Sequence, residues 1–397
     1  MQPLRLMCFT GALSLTATLT APASAAEPGL IGRWNLIIGE PGGYPAWMRV
    51  SQRDGQPAVS FLNGAGSPGD GQQVRLEGSE LVFEGWDRTW RCALDGPDAI
   101  KGRAVSKDGD SQPFHGVRFV PRRCAGGTWD LVMPSGGKVV VEIAQRGDEL
   151  AGTLESDGRR QDLQELALDA EAGVLSFKVG PQAFSGRLRG DDFEGTVCRP
   201  DGQVEGRVEG KRRREWAEPL ELFNGRNLDG WKPMTDDPAR NHWKVIDGIL
   251  ENTAMHGANI VHEKAFADFK LHVEFRVPAG GNSGVYLRGR YEIQVADTFG
   301  HDLSVHMGGA LYGRVPPAVN AARPAGEWQT YDITLIGHCL TVVHNGKTIH
   351  DRIEIEGVTG GMIDGRENDP GPIYLQGDHT QVSYRRITLT PARPTCR

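Results

Sequence analysis

Period-two alternation of apolar and polar residues dominates the chain. In "FADFKLHVEFRV", Leu271, Val273, Phe275 and Val277 fall on one face of an extended strand, which leaves His272, Glu274 and Arg276 on the other. A second strand buries Val285 and Leu287 and presents Tyr286 and Arg288, and a third buries Ile293 and Val295 and presents Glu292 and Gln294. Near the C-terminus Ile373 and Leu375 point inward while Tyr374 and Gln376 point out. "LTVVHNGKTIHD" sets Asn345-Gly346 between two alternating runs, the strongest short-range hairpin signal, and "WKVIDGILEN" carries an Asp-Gly turn in the same setting. Long helix-period runs are missing, and Gly (53) and Pro (24) are abundant, so the chain is all-β. Roughly a dozen short strands after Leu220 predict an antiparallel two-sheet sandwich.

Before Leu220 the same β-rich unit occurs twice. "GRWNL" (Gly32–Leu36) recurs as "GTWDL" (Gly127–Leu131), and "GSELVF" aligns with "AGVLSF" at nearly the same offset. The expected organisation is two tandem similar β-rich units, 27–123 and 124–214, followed by the sandwich, 215–397. The charged stretch "EGKRRREWAEP", Glu209–Pro219, reads as a solvated connector. Charges in the repeated half sit in turns and on outer faces, without catalytic spacing, which fits an accessory spacer, interaction or carbohydrate-holding module.

The first residues change the compartment expected. Arg5, an apolar stretch to about Leu19 and the small-residue site Ala23-Ser24-Ala25 read as a secretory signal spanning 1–25, so the mature protein is expected to be periplasmic or secreted. No later apolar run is long enough for membrane insertion, and a net charge of −7 offers no attraction for nucleic acid. Of the cysteines that remain, Cys339 and Cys396 form the simplest C-terminal pair, with the connectivity open.

The outward set gathered by alternation, Tyr, Arg, Gln, Glu and His without Lys, supplies flat apolar area with bidentate hydrogen bonding, which suits a sugar ring. "PAGGNSG", which contains Asn282, adds a glycine loop that lets backbone approach a ligand. Cross-strand ion pairing of Glu274 or Arg288 on a wet sheet is the competing reading. His379, beside Asp378 and after the strand of Gln376, stands out among histidines. No HExxH, nucleophile elbow, P-loop or dinucleotide motif is present.

The pieces "LFNGRNLDGW", "DFKLHVEFRV", "GGNSGVYLRG", "YEIQVAD", "GALYG", "PAGEWQTYDI" and "GPIYLQGDHTQVSYRRI", in this order, resemble the 3-keto-disaccharide hydrolase domain family of concanavalin-like jelly rolls, over about 219–391. Gln329 and Arg386 stand where the family usually has Asn. The resemblance implies cleavage of glycosides whose glucose is oxidised at C3, by C2 proton abstraction, elimination and hydration. It implies Glu292 or Glu274 as base, Arg288 at the developing oxyanion and His379 or Asp297 as acid, with Tyr286, Gln294, Gln376, Arg276 and Asn282 holding the sugar. A divalent metal ion would share the task of Arg288; no cofactor is certain. The alternatives are a lectin-like carbohydrate-binding protein of the cell envelope and a retaining glucanase. The latter is disfavoured because Gln294 takes the next same-face position after Glu292.

Overall fold

The computed structural model describes residues 28–40 and 42–396, so the segment read as a signal lies outside the described residues. Apart from 3-10 turns at Pro28–Leu30 and Pro238–Arg240, the regular elements are strands. No helix among the described residues is long and apolar enough to cross a membrane.

Nine strands, from Gly32–Ile38 to Ser111–Phe119, form one antiparallel sheet whose neighbours run fourth, third, second, first, ninth, eighth, seventh, sixth and fifth in chain order. Gly71 N donates to Val59 O at 2.8 Å, which draws the two edges together and nearly closes the sheet around Trp34, Phe61, Phe83 and Trp90. Nine further strands, from Gly127–Val132 to Val204–Arg212, follow the same order around Trp129, Phe177, Phe184 and Phe193. The local packing matches as well: the Trp34 and Trp129 indoles donate to Leu30 O and Ala125 O, and Arg118 and Arg212 cover their faces at 4.4 Å.

From Leu220 two antiparallel sheets pack face to face. The larger runs Trp243–Ile246, Ile249–Asn252, Val382–Pro391, Phe269–Arg276, Gln329–Ile336, Cys339–His344 and Lys347–Glu354. The smaller runs Trp231–Pro233, Ile260–Phe266, Gly371–Leu375, Asn282–Leu287 and Tyr291–Ala296. Leu271, Val273 and Phe275 of the first meet Val285, Ile293 and Leu375 of the second in one core. The alternation assigned every one of these inward residues. Asn345 and Gly346 carry φ of 49° and 80°, the left-handed pair that a two-residue hairpin requires.

The three bodies are bolted together. Trp47 and Leu62 of the first unit belong to the sandwich's own hydrophobic cluster, and Arg314 lies 4.4 Å over the Trp47 ring. Glu367, fully buried, meets Arg33 of the first unit at 3.3 Å and the Tyr291 hydroxyl at 3.2 Å. The basic run read as a solvated connector is instead a fastening. Arg212 ends the last strand of the second unit, 5% exposed, and Arg214 bridges Asp191 of that unit and Asp268 of the sandwich at 2.7 and 3.3 Å. The disulfide also differs from the simplest pairing: Cys124 is bonded to Cys396, and Cys339 is free. The C-terminal tail runs back along the second unit, where Thr395 and Cys396 pack on Gly126, while Cys339 packs on Gly190.

Candidate active site

The outer face of the smaller sheet carries two rows of three residues. Tyr286 lies between Glu292 and Tyr374, and Gly284 lies opposite Gln294, with Gln376 N donating to Gly284 O at 3.0 Å. The middle glycine is decisive for the geometry. A Cβ at Gly284 would stand 2.3 Å from Glu292 Oε1, so its absence lets the carboxyl lie over the central strand.

The face is not the wet surface that alternation alone implies. Glu292 is 2% exposed, and Tyr286, Tyr374, Gln294 and Gln376 are buried too. The segment around Met307–Val315 pairs along the edge strand, with Tyr312 N donating to Glu292 O at 3.0 Å. Thr359–Ile363 crosses the tyrosines, whose stacked rings lie 3.8 Å apart and whose hydroxyls donate to Gly360 O and Gly361 O at 2.8 and 2.5 Å.

Burial pushes the Glu292 carboxyl up to about 8, opposed in part by the Tyr286 hydroxyl 2.7 Å from Oε2. One proton arrangement satisfies every group. Tyr286 has a single hydrogen and faces two acceptors, so a protonated Glu292 donates to Tyr286 while Tyr286 donates to Gly360 O. Ionised, the carboxylate takes the tyrosine hydrogen instead. The phenol itself stays protonated, since burial and the neighbouring Tyr374 and Glu292 hold it well above its usual value. Gln294 Oε1 and Gln376 Oε1 are buried with no partner, an expensive state unless something polar enters beside them.

At the end of this face His379 Nδ1 lies 2.6 Å from Asp378 Oδ1, and that bond raises the imidazole's pKa. The side chain is 46% exposed, and its charge acts on Glu292. Asn282 N donates to Thr380 Oγ1 at 2.7 Å, which places the start of its strand beside this dyad.

The remaining predicted site residues go elsewhere. Arg288 breaks the alternation with a φ of 52°, and its guanidinium turns away to donate to Ala267 O at 2.7 Å and Asp268 at 3.1 Å. It lines a cavity of about 790 Å³ at the junction with the second unit, together with Arg212, Arg214 and His338, so it is not the oxyanion partner of Glu292. Glu274 and Arg276 lie on the larger sheet, on the opposite side of the sandwich. There Glu274 bonds Arg385 at 2.5 Å and His272 at 3.4 Å, and Arg276 and Arg385 lie over Trp328 at 4.9 and 4.4 Å. This is the ion-paired surface of the competing reading. Asp297 accepts from Gly280 N at 3.0 Å and holds the glycine turn, so that loop serves the fold. Among the described residues no group of three His, Cys, Asp or Glu is placed to hold a metal ion.

Residues 218–390 match the 3-keto-alpha-glucoside-1,2-lyase-like domain family. The match takes in the C-terminal sandwich and leaves both nine-stranded units outside it. The 3-keto-disaccharide hydrolase of Bacteroides thetaiotaomicron is 22% identical over 165 residues, a match that takes in 33% of this chain and 54% of that protein. The chain thus spans about half the length of that relative. Among solved structures, a Parabacteroides distasonis protein provisionally named a glycosyl hydrolase is 28% identical, with a TM-score of 0.38 over 44% of this chain and 83% of its own. A second from the same organism is 20% identical, with a TM-score of 0.37 over 44% and 93%.

Within residues 218–390, sequence reasoning left three contributors unassigned: Gly284, Tyr374 and Tyr312. Tyr374 is in phase with Gln376, and that phase was the signal available for it. Gly284 leaves no side chain to count, and Tyr312 comes from a loop to which strand periodicity does not extend.

Proposed function

We propose that the lyase-like domain cleaves glycosides whose glucose unit carries a ketone at C3. Buried Glu292, with a carboxyl raised to about 8, is the observation that supports this most directly. A carboxylate of that basicity suits removal of the C2 proton, which the adjacent ketone acidifies. The C2–H electron pair forms an enolate with its charge on the C3 oxygen. Collapse of the enolate makes the C1–C2 double bond and expels the C1 oxygen. That oxygen takes a proton, and His379, held by Asp378, is the acid we assign to it. Water then adds across the double bond, and Glu292 returns its proton. The side-chain amide N–H groups of Gln294 and Gln376 replace Arg288 as the donors assigned to the developing oxyanion.

The name of the Bacteroides relative, 3-keto-disaccharide hydrolase, supports this substrate class. The signal-like leader and the Cys124–Cys396 disulfide support an exported protein. Incubation of the purified protein with 3-keto-trehalose and with unoxidised trehalose, with and without chelator, tests the reading. Loss of the 3-keto sugar alone is expected, and turnover of unoxidised sugar alone would sink it.

A further inference from the structure

The first unit reaches the face that carries Glu292. Its Asn63–Pro68 loop bonds the lyase-like domain at two points: Ser67 Oγ lies 2.6 Å from His306 Nε2, and Gly361 N donates to Gly64 O at 3.2 Å. The fit is close. A Cβ at Gly360 would stand 2.3 Å from Gly66 O, and one at Gly313 would stand 2.6 Å from Ser67 Oγ. The residues so touched are the ones that hold the site. Gly360 O and Gly361 O accept from Tyr286 and Tyr374, and His306 O accepts from Gln294 Nε2 at 3.3 Å.

Over this loop stands Trp86. It is 46% exposed, and its ring lies within van der Waals reach of Gly66, where a Cβ would meet Cη2 at 3.4 Å. Trp86 and Asp87 form the two-residue tip of the hairpin between Glu80–Gly85 and Arg88–Leu94, with φ of 51° and 56°. Such a tip favours Asn, Asp or Gly, and a bulky ring with positive φ is strained. A tryptophan that is both strained and exposed contributes nothing to the fold that Asn would not contribute better, and strain of this kind gathers at functional sites. Tyr44, 41% exposed, flanks the same loop and donates to Asn63 Oδ1 at 3.0 Å.

We propose that the first unit builds the outer wall of the sugar site, with Trp86 stacking the part of the glycoside beyond the bond that breaks and Ser67 with His306 binding its hydroxyls. The partnerless amide oxygens of Gln294 and Gln376 lie in the Gly284 row of the same sheet face as Glu292. The proposal rests on the reading of Glu292 as the centre of a sugar site. It makes the first unit a determinant of which glycosides are accepted.

The test compares 3-keto-trehalose with methyl 3-keto-α-glucoside on the full chain and on Trp86→Asn. The variant is expected to lower kcat/KM for the disaccharide relative to the methyl glycoside by roughly fivefold, the scale of one lost aromatic contact. It is also expected to raise the melting temperature, because Asn relieves the left-handed backbone. Trp86→Phe should restore part of the selectivity. An unchanged ratio with both substrates turned over would overturn the wall and leave the Glu292 reading standing. If the wild type turns over neither, the Glu292 reading fails. Tryptophan fluorescence titrated with 3-keto-trehalose then decides the wall: quenching lost in Trp86→Asn keeps it, and equal or absent quenching ends it.

Discussion

Two glutamates on outward strand positions of one sandwich have opposite characters. Glu274 lies on the larger sheet at the protein surface, where burial alone would raise its pKa but the Arg385 and His272 hydrogen bonds hold it below the usual carboxylate range. Glu292 lies on the smaller sheet beneath two covering segments, with a tyrosine as its hydrogen-bonding side chain among the described residues, and is pushed up to about 8. What separates them is the cover, together with the company each keeps. A charge next to a guanidinium is stabilised; one next to neutral hydroxyls in a dry setting is poised to hold or take a proton.

The contrast is tested most severely by removing each carboxylate. Glu292→Gln should lower kcat/KM on a 3-keto-disaccharide by roughly 10² to 10⁴, the span of a lost general base, while Glu274→Gln leaves it within about twofold. Equal losses would erase the distinction. Gly284→Ala comes next. Its new Cβ would contest the space 2.3 Å from Glu292 Oε1, so activity should fall by roughly tenfold or more with the strand pairing intact by circular dichroism.

A smaller effect is read from pH. The rate should rise as Glu292 ionises near pH 8, and Tyr286→Phe, which removes the hydrogen bond favouring the carboxylate, should move that inflection upward. Stability has the opposite sign. The folded chain keeps this proton to about pH 8 whereas the ordinary carboxyl loses it near 4.5, so the contribution is full below about 4.5 and declines as pH rises to about 8. Chemical denaturation across that window should show a shallower decline in Glu292→Gln. The smallest effect belongs to Arg385→Ala, which frees Glu274 of one partner; an exposed pair of this kind contributes about 0.2–1 kcal/mol, and activity should not respond.

Much of this was legible before any coordinates. The phase of Val285, Ile293 and Leu375 against Tyr286, Glu292 and Gln376 follows from pleat geometry, and the structure keeps it residue for residue. Phase does not say which sheet a strand joins, and so Glu274 and Glu292 looked like neighbours. It also fails where the backbone turns left-handed, as at Arg288, and is silent about loops that fold over a face. The Cys124–Cys396 bond, at a separation of 272, depends on where the tail returns, which no local pattern encodes.

That bond sets an order of assembly. Cys396 follows its mate Cys124 by 272 residues, so it leaves the ribosome long after the unit that Cys124 opens has been synthesised. The second unit must therefore wait with its thiol reduced and unmispaired until the tail arrives, although Cys92, Cys198 and Cys339 emerge first. Cys92 is buried in its own barrel-like sheet and its thiol is pushed up to about 12, and burial pushes Cys339 to about 12 as well. Both are poor nucleophiles once folded, so folding withdraws two of the three competing thiols from the late pairing.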